Sequence, residues 1–180
     1  MENIRLKLND KSPDFNLEAT DGNVYTLESF SSNKALIVIF SCNHCPYVQA
    51  YEERIKAIQH DYAEKGVIII AINSNDDSQY PEDSFSQMKI RAEEREFNFI
   101  YLRDETQVTA KAYGASHTPE IFLFDSERKL VYQGKIDNNW KEPEKVNSSY
   151  LREALNELLN GEEISVPETW SIGCTIKWRG

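Results

Sequence analysis

Two uninterrupted apolar runs stand out in the pattern of hydrophobic and polar positions. Ala35 to Phe40 and Val67 to Ile72 show no polar alternation and are rich in β-branched residues, which is typical of strands covered on both faces. Between them, apolar residues recur at spacings of three and four and predict a helix that ends near Lys65-Gly66. These residues are Val48, Tyr51, Ile55, Ile58 and Tyr62. Strand, helix and strand in this order predict a right-handed parallel βαβ unit.

The segments on either side predict shorter elements. Phe15 to Leu17 and Val24 to Leu27 flank Asp21-Gly22, which is a strong hairpin signal because glycine accepts positive φ. Further downstream, the pattern predicts helices at 83–95, 106–113 and 149–159, and strands at 99–102, 120–125 and 129–134. The last two strands are separated by a polar turn, and we expect them to pair as an antiparallel hairpin.

The chain shows no internal repeat and no linker that would divide it. We therefore expect one domain over residues 1–180, with a hairpin extension at 1–33 and a C-terminal tail at 161–180. Four large apolar side chains in the tail are costly to leave in water, and they predict that the tail packs against the body. They are Trp170, Ile172, Ile176 and Trp178.

Composition and charge exclude several kinds of partner. The net charge of −10 argues against nucleic acids and anionic membranes. The N-terminal residues lack the apolar stretch of a signal peptide, and no apolar run is long enough to span a bilayer. An odd number of cysteines, three in 180 residues, does not describe a disulfide scaffold. We therefore expect a cytoplasmic protein that binds neither nucleic acid nor membrane.

Two of the cysteines lie in the stretch SCNHCPYV, directly after the first apolar strand. This position is the carboxyl end of a parallel strand and the amino end of a helix, where open α/β sheets carry their chemistry. A thiol reacts as the thiolate, which a helix N-terminus stabilises. We expect Cys42 to be the exposed sulfur at the helix start and Cys45, one turn in, to attack the mixed disulfide. His44 is expected to lower the pKa of Cys42 and to make the pair more oxidising.

Other interpretations of this cysteine pair are weaker. A zinc site needs four ligands, commonly two separated pairs, whereas this chain has one pair, a distant Cys174 and scattered histidines. Inert buried cysteines are disfavoured because a helix N-terminus at a sheet edge is partly exposed. A redox-active pair without a metal or cofactor is the preferred interpretation.

The order of hairpin, strand, CxxC motif, helix and strand, followed by HTPE before a strand pair, resembles the thioredoxin-like superfamily. The opening SPDFNLEATDGNVYTLESF is similar to its peroxiredoxin-like branch, the alkyl hydroperoxide reductase/thiol-specific antioxidant group. CNHCPYV with GCTIKW looks most like an uncharacterised subfamily of that branch. The resemblance implies an α/β thioredoxin-like fold, with a central mixed sheet flanked by helices. It also implies a cis bond between Thr118 and Pro119, which would face the cysteines and leave the backbone of Thr118 free to pair with a bound peptide.

The chain departs from both groups that it resembles. Peroxiredoxins carry the motif Pro-x-x-x-Thr/Ser-x-x-Cys. When Cys45 is aligned with the cysteine of this motif, Cys42 stands where the motif has threonine or serine, and Val38 stands where it has proline. This difference disfavours peroxidase activity of the usual kind. Thioredoxin has a buried aspartate six positions before its first cysteine, where this chain has Leu36.

Two further residues are candidates with open alternatives. His117, just before Thr118, is either an ordinary polar residue or the base that replaces the missing aspartate. Cys174 is either a small buried residue of the tail or a resolving or redox-sensing thiol brought near Cys42.

The preferred function is that of a thiol–disulfide oxidoreductase in which Cys42, Cys45, His44, Thr118 and Pro119 form the site. The alternatives are a thiol peroxidase and a metal-binding chaperone for Cu(I). The expected partners are protein disulfides or small disulfides or peroxides, together with an external reductant such as a thioredoxin-type system.

Overall fold

The computed structural model describes residues 4–180. Its strands are β1 (Asn16–Ala19), β2 (Val24–Thr26), β3 (Ala35–Ser41), β4 (Val67–Asn73), β5 (Ile100–Arg103), β6 (His117–Thr118), β7 (Glu120–Phe124), β8 (Leu130–Gly134) and β9 (Cys174–Thr175). Its α-helices are α1 (Pro46–Tyr62), α2 (Phe85–Glu94), α3 (Val108–Tyr113) and α4 (Tyr150–Leu159). Among these residues no helix is both long enough and apolar enough to cross a membrane.

Seven of the strands form one mixed sheet in the order β2-β1-β5-β4-β3-β7-β8. Strands β3 and β4 are parallel, as the βαβ pattern predicts, and β4 is parallel to β5. Strand β7 runs antiparallel to both β3 and β8, which confirms the predicted hairpin of the last two strands. The N-terminal hairpin β1-β2 is also confirmed, and its strand β1 extends the sheet beyond β5.

Strand β3 is buried along its whole length because both faces of the sheet are covered. Ile37 and Ile39 face a core that α1, α2 and α4 complete. Leu36 and Val38, on the opposite face, pack with α3 and the N-terminal segment. Burial of each such side chain contributes roughly 1.5–3 kcal/mol, so this strand is a firm base for the loop that follows it.

Helix α2 begins two residues later than the sequence pattern predicts. Ser84 caps it, with the Ser84 hydroxyl oxygen accepting the N–H of Gln87 at 3.3 Å, as their spacing predicts. Asp83 is therefore outside the helix, in the short turn Pro81–Asp83, and it is completely buried. This turn leaves the Asp83 carboxylate free to point towards the cysteine loop.

The C-terminal tail packs against the body, but only in part as expected. Its strand β9 pairs with β6, and Ile176 is 3% exposed within the core. Trp170 is 86% exposed and Ile172 is 50% exposed, so the expectation that these side chains are buried is wrong. Thr169 bonds to the backbone around Gln133, and side chains alternate along an extended segment, so the next side chain points away.

We predict that Ile176→Ala lowers the free energy of unfolding by about 2–5 kcal/mol, because it leaves a cavity in the core. The matched variant Ile172→Ala removes the same atoms from a side chain that is already half in water, and it should cost roughly 0.5 kcal/mol. Denaturant unfolding of the reduced protein measures both values. Equal losses in the two variants would contradict this description of the tail.

Candidate active site

Helix α1 begins directly after the second cysteine of the motif. The ring of Pro46 clashes with a helical conformation of the residue before it, and Cys45 accordingly has extended angles of φ −76° and ψ 122°. Proline fits the first helical position because its missing N–H has no partner there. Cys45 is therefore the N-cap of α1, and Cys42 lies in the preceding loop. The expectation that Cys42 occupies the helix start is wrong for this reason.

Both cysteines of the motif are enclosed: Cys42 is 2% exposed and Cys45 is 0% exposed. The expectation that the Cys42 sulfur is exposed is therefore wrong. The Cys42 Sγ lies 3.5 Å from the Thr118 hydroxyl, and the Cys45 Sγ lies 3.4 Å from the Thr118 carbonyl, which accepts a hydrogen bond from the Cys45 thiol. The bond between Thr118 and Pro119 is cis, as the resemblance implies. The two predicted motifs thus meet in space.

Several hydrogen-bond donors lie around the Cys45 sulfur and act on its ionised form, whereas the Thr118 carbonyl accepts from the protonated thiol. The hydrogen bond from the Cys42 thiol lowers the pKa of Cys45 most, and burial acts in the opposite direction. The Cys174 thiol and the backbone N–H groups of Val48 and Cys174 lower this pKa further. Together they lower the pKa of Cys45 to about 4. A helix N-terminus contributes in the same direction, because its N–H groups favour an anion. These contacts favour the thiolate form of Cys45 over that of Cys42.

Cys42 has the opposite character. Its hydrogen bond to Cys45, its burial and the nearby charge of Asp83 all raise the pKa of Cys42, and the Thr118 hydroxyl only partly opposes them. The expectation that the pKa of Cys42 is lowered is therefore wrong. The helix start lies at Cys45, and a buried carboxylate faces Cys42, so the electrostatic roles of the two sulfurs are reversed.

Asp83 supplies a buried carboxylate that sequence analysis missed. Its oxygens accept hydrogen bonds from the backbone N–H of Asn43 at 2.6 Å and from the side-chain amides of Asn75 and Asn73 at 2.9 Å and 3.2 Å. Three donors keep a buried carboxylate satisfied. The signal for this cluster was present in the residues Asn73 to Asn75, which place polar side chains at the carboxyl end of a buried parallel strand.

His44 joins Asp83 to the cysteine loop. The His44 Nδ1 contacts the Asp83 carboxylate, and the His44 ring stacks on Tyr80 with a centroid distance of 5.6 Å. One side-chain atom each of Cys42, His44 and Asp83 lie within 4.8 Å of one another. A thiol, an imidazole and a carboxylate that orients it are the groups of a nucleophile–base pair, although within residues 4–180 no hydrogen bond joins the Cys42 thiol to the His44 ring. The three could also face a cation, but the hydrogen bonds already account for the Asp83 oxygens.

Cys174 and His117 have different surroundings from those expected. The tail brings Cys174 to Cys45 and not to Cys42, with the two Sγ atoms 2.9 Å apart. Burial and the hydrogen bond to Cys45 raise the pKa of Cys174 to about 11. The His117 Nδ1 is hydrogen-bonded to the Ser116 hydroxyl at 2.8 Å. Within residues 4–180, no hydrogen bond joins the His117 ring to a sulfur, so its role as a base stays a hypothesis.

Comparisons with known proteins agree with this fold. The Redoxin family model matches residues 7–150. A hypothetical protein from Sinorhizobium meliloti 1021 is 37% identical, with 98% of this chain and 97% of that chain covered and a TM-score of 0.92. An uncharacterized conserved protein from Geobacillus kaustophilus is 43% identical, with 96% and 93% covered and a TM-score of 0.90.

A more distant structure supports the fold alone. A putative thiol:disulfide interchange protein DsbE from Chlorobium tepidum is 23% identical, with 86% of this chain and 99% of that chain covered and a TM-score of 0.68. No curated protein matches the chain. The predicted thioredoxin-like α/β fold, with its mixed central sheet, is confirmed.

We predict that the stability of the reduced protein depends on pH through Cys45. Its pKa is lowered to about 4 on folding, so the unfolded chain binds more protons than the folded one between that pH and the ordinary thiol value. The contribution is therefore present at high pH and is lost as pH falls towards 4. Denaturant unfolding at several pH values should show that the excess free energy of unfolding of wild type over Cys45→Ser grows as pH rises from about 4 to the ordinary thiol value. A difference independent of pH would count against the assignment of the thiolate.

Proposed function

The chain belongs to the Redoxin family, and we propose that it is a thiol–disulfide oxidoreductase whose dithiol is Cys42 and Cys45. The family supports an oxidoreductase with thioredoxin-like redox chemistry. One observation carries the more specific proposal. The Cys45 sulfur, at the N-terminus of α1, is hydrogen-bonded to the Cys42 thiol and lies 2.9 Å from the Cys174 sulfur. A thiolate in contact with a second thiol is the arrangement that disulfide exchange requires.

The first step uses the low pKa of Cys45. When strand β9 leaves the site, the Cys45 thiolate attacks one sulfur of a substrate disulfide. The substrate S–S bond breaks, one substrate thiolate leaves, and a mixed disulfide with Cys45 forms. The N-terminus of α1, which begins at the next residue, favours the anionic Cys45 sulfur for this attack.

The second step uses the opposite character of Cys42. His44, oriented by Asp83, accepts the proton of the Cys42 thiol, and the Cys42 sulfur attacks Cys45 in the mixed disulfide. The bond between Cys45 and the substrate breaks, and the second substrate thiolate leaves. The protein keeps the Cys42–Cys45 disulfide, and the substrate has gained two electrons. Cys45 is a good leaving group, so an external dithiol can reverse the process.

The proposed substrates are disulfides in extended peptides or small molecules. Thr118, before the cis bond, offers its backbone to a paired strand, and a small cleft beside Pro119 has a mixed lining. Tyr51, Ile136, Trp140 and Ile172 line it together with Lys135, Asp137 and Asn138. A peptide paired at Thr118 would place a neighbouring side chain in this cleft. The proposed reductant is a thioredoxin-type dithiol, and the cytoplasm is the compartment that the cysteine usage favours.

A thiol peroxidase is the second candidate, and one observation favours it. A thiolate of low pKa at a helix N-terminus, such as Cys45, is also suited to attack a peroxide. However, the nearby hydroxyl of Thr118 lies against Cys42 and not against Cys45. Within the described part of the chain, no arginine forms a hydrogen bond with any of the three sulfurs. The geometry therefore favours disulfide exchange.

We predict that purified protein reduces insulin disulfides, that Cys45→Ser abolishes the turnover, and that Cys42→Ser abolishes it when combined with Cys174→Ser, which removes the other thiol beside Cys45. Peroxide consumption and bound metal are measured on the same samples, and thermal unfolding confirms that each variant is folded. A suitable control is His60→Gln, because the His60 side chain is 84% exposed. Peroxide turnover that survives in Cys42→Ser but is lost in Cys45→Ser would establish the peroxidase instead. Metal bound in stoichiometric amount would favour the chaperone.

We predict that His44→Gln slows the second step and leaves the first unchanged. In Cys174→Ser protein only Cys42 can resolve the mixed disulfide, so dithiobis(nitrobenzoate) should release one chromophore when Cys45 attacks and another when Cys42 attacks. Loss of the base should slow the second release about 100-fold, and Asp83→Asn should have a smaller effect of the same kind. Equal slowing of both releases would show that His44 only supports the structure.

A further inference from the structure

The C-terminal tail occupies the edge at which a substrate strand would pair. Strand β9 is antiparallel to β6, with Cys174 opposite Thr118 and Thr175 opposite His117. Beyond it, the N–H of Ile176 donates to the Ser116 carbonyl at 2.9 Å. The Thr118 carbonyl lies 3.4 Å from the Cys45 sulfur, so the tail lies on the backbone that faces the cysteines. An added strand of this kind is how extended peptides bind to exposed sheet edges.

The approach of the tail is close enough to require glycine. A Cβ placed on Gly173 would lie 2.0 Å from the carbonyl oxygen of Thr118 and 2.7 Å from its carbonyl carbon. Both are backbone atoms, which cannot swing aside as a side chain can. The absence of a side chain at Gly173 therefore lets the next residue, Cys174, reach the Cys45 sulfur at 2.9 Å.

The end of the tail is tied down, so this contact is part of the fold. The carbonyl of Lys177 accepts a hydrogen bond from the backbone N–H of Asp76 at 2.8 Å, and the N–H of Lys177 donates to the side-chain oxygen of Asn75 at 2.9 Å. Arg179 forms ion pairs with Asp76 and Asp77. On the other side of Cys174, Ile172 is half exposed. Cys174 thus lies between the anchored C-terminal end of the tail and a preceding segment that is partly exposed to solvent.

The three sulfurs differ in how far they are buried. Cys42 and Cys45 are almost completely buried, whereas Cys174 is only partly buried. While β9 is in place, an external protein dithiol can therefore approach Cys174 but not the buried pair. Once Cys42 and Cys45 are oxidised, their disulfide must therefore be transferred to a sulfur that an external dithiol can reach.

We propose that Cys174 carries that sulfur: it is a relay thiol that exchanges with the buried disulfide. The step rests on the proposed function, which produces the Cys42–Cys45 disulfide. The Cys174 sulfur attacks the Cys45 sulfur, the bond between Cys45 and Cys42 breaks, and a Cys45–Cys174 disulfide forms. The proton of Cys174 passes to the released Cys42 sulfur, so no external oxidant is consumed. An external dithiol then attacks Cys174 and restores all three thiols.

The test maps disulfides in the full chain after oxidation by oxidised glutathione, acid quenching and alkylation of free thiols. Trypsin places both motif cysteines in peptide 35–54 and the third in peptide 153–177, so mass spectrometry separates the two disulfides. Wild type should contain peptides 35–54 and 153–177 linked by a disulfide, and this link should be the main disulfide in Cys42→Ser. Cys174→Ser should contain only the internal disulfide of peptide 35–54.

A second variant keeps all three thiols and changes only the approach of the tail. Gly173→Ala should reduce the yield of the linked peptides about 10-fold or more, because it forces the tail away from Thr118. Gly180→Ala is the matched control, since a Cβ there would contact nothing within 4 Å. Reduction of the oxidised protein by thioredoxin should be about 10-fold slower in Cys174→Ser, whereas reduction by dithiothreitol should change little.

The outcomes separate this proposal from the one on which it rests. A Cys42–Cys45 disulfide and insulin turnover without any linked peptides would overturn the relay and leave the oxidoreductase standing. Linked peptides without insulin turnover would support the exchange between Cys45 and Cys174 and would refute the proposed activity. If neither disulfide forms, both proposals fail.

Discussion

The ring of Pro46 excludes a helical conformation for the residue before it, and the other properties of the site depend on this constraint. Helix α1 cannot include the cysteine motif, so its free N–H groups point at Cys45. Had the helix started earlier, Cys42 would face those groups and would hold the negative charge. A single steric rule therefore places Cys45, and not Cys42, at the helix N-terminus, where an anionic sulfur is favoured. It also leaves Cys42 in a loop, where a different group must control its proton.

That group comes from the carboxyl edge of the sheet. Buried charge is costly unless it is paired or hydrogen-bonded, and Asp83 has both the Asn43 backbone N–H and His44 as partners. The hydrogen bond to Cys45, burial and this carboxylate together raise the pKa of Cys42, and the carboxylate also contacts the His44 imidazole. A thiol with a raised pKa and a thiolate with a lowered one are suited to successive steps of one exchange. The separation of the two pKa values thus supports a division of roles.

The tail connects this buried chemistry to the surface. Its close approach at Gly173 would not be possible for a residue with a side chain, and it covers the same backbone that a substrate would use. Covering the site excludes solvent from the sulfurs, but it also requires either movement of β9 or transfer of the disulfide through Cys174. The same contact therefore protects the dithiol and limits access to it.

The sequence by itself determined the seven strands of the mixed sheet, the four helices, the N-terminal hairpin and the meeting of the CxxC motif with Thr118 and Pro119, because these follow from local periodicity, turn residues and a resemblance in motif order. The short strands β6 and β9 have no such signal and were not predicted. Only the tertiary structure decided which sulfur carries the charge, where the buried carboxylate comes from and which cysteine Cys174 touches. The proline rule was readable in the sequence, although its effect on the two thiols depends on their three-dimensional surroundings. Asp83 and Cys174 are distant in sequence from the motif, and only the packing of the whole chain brings them to it.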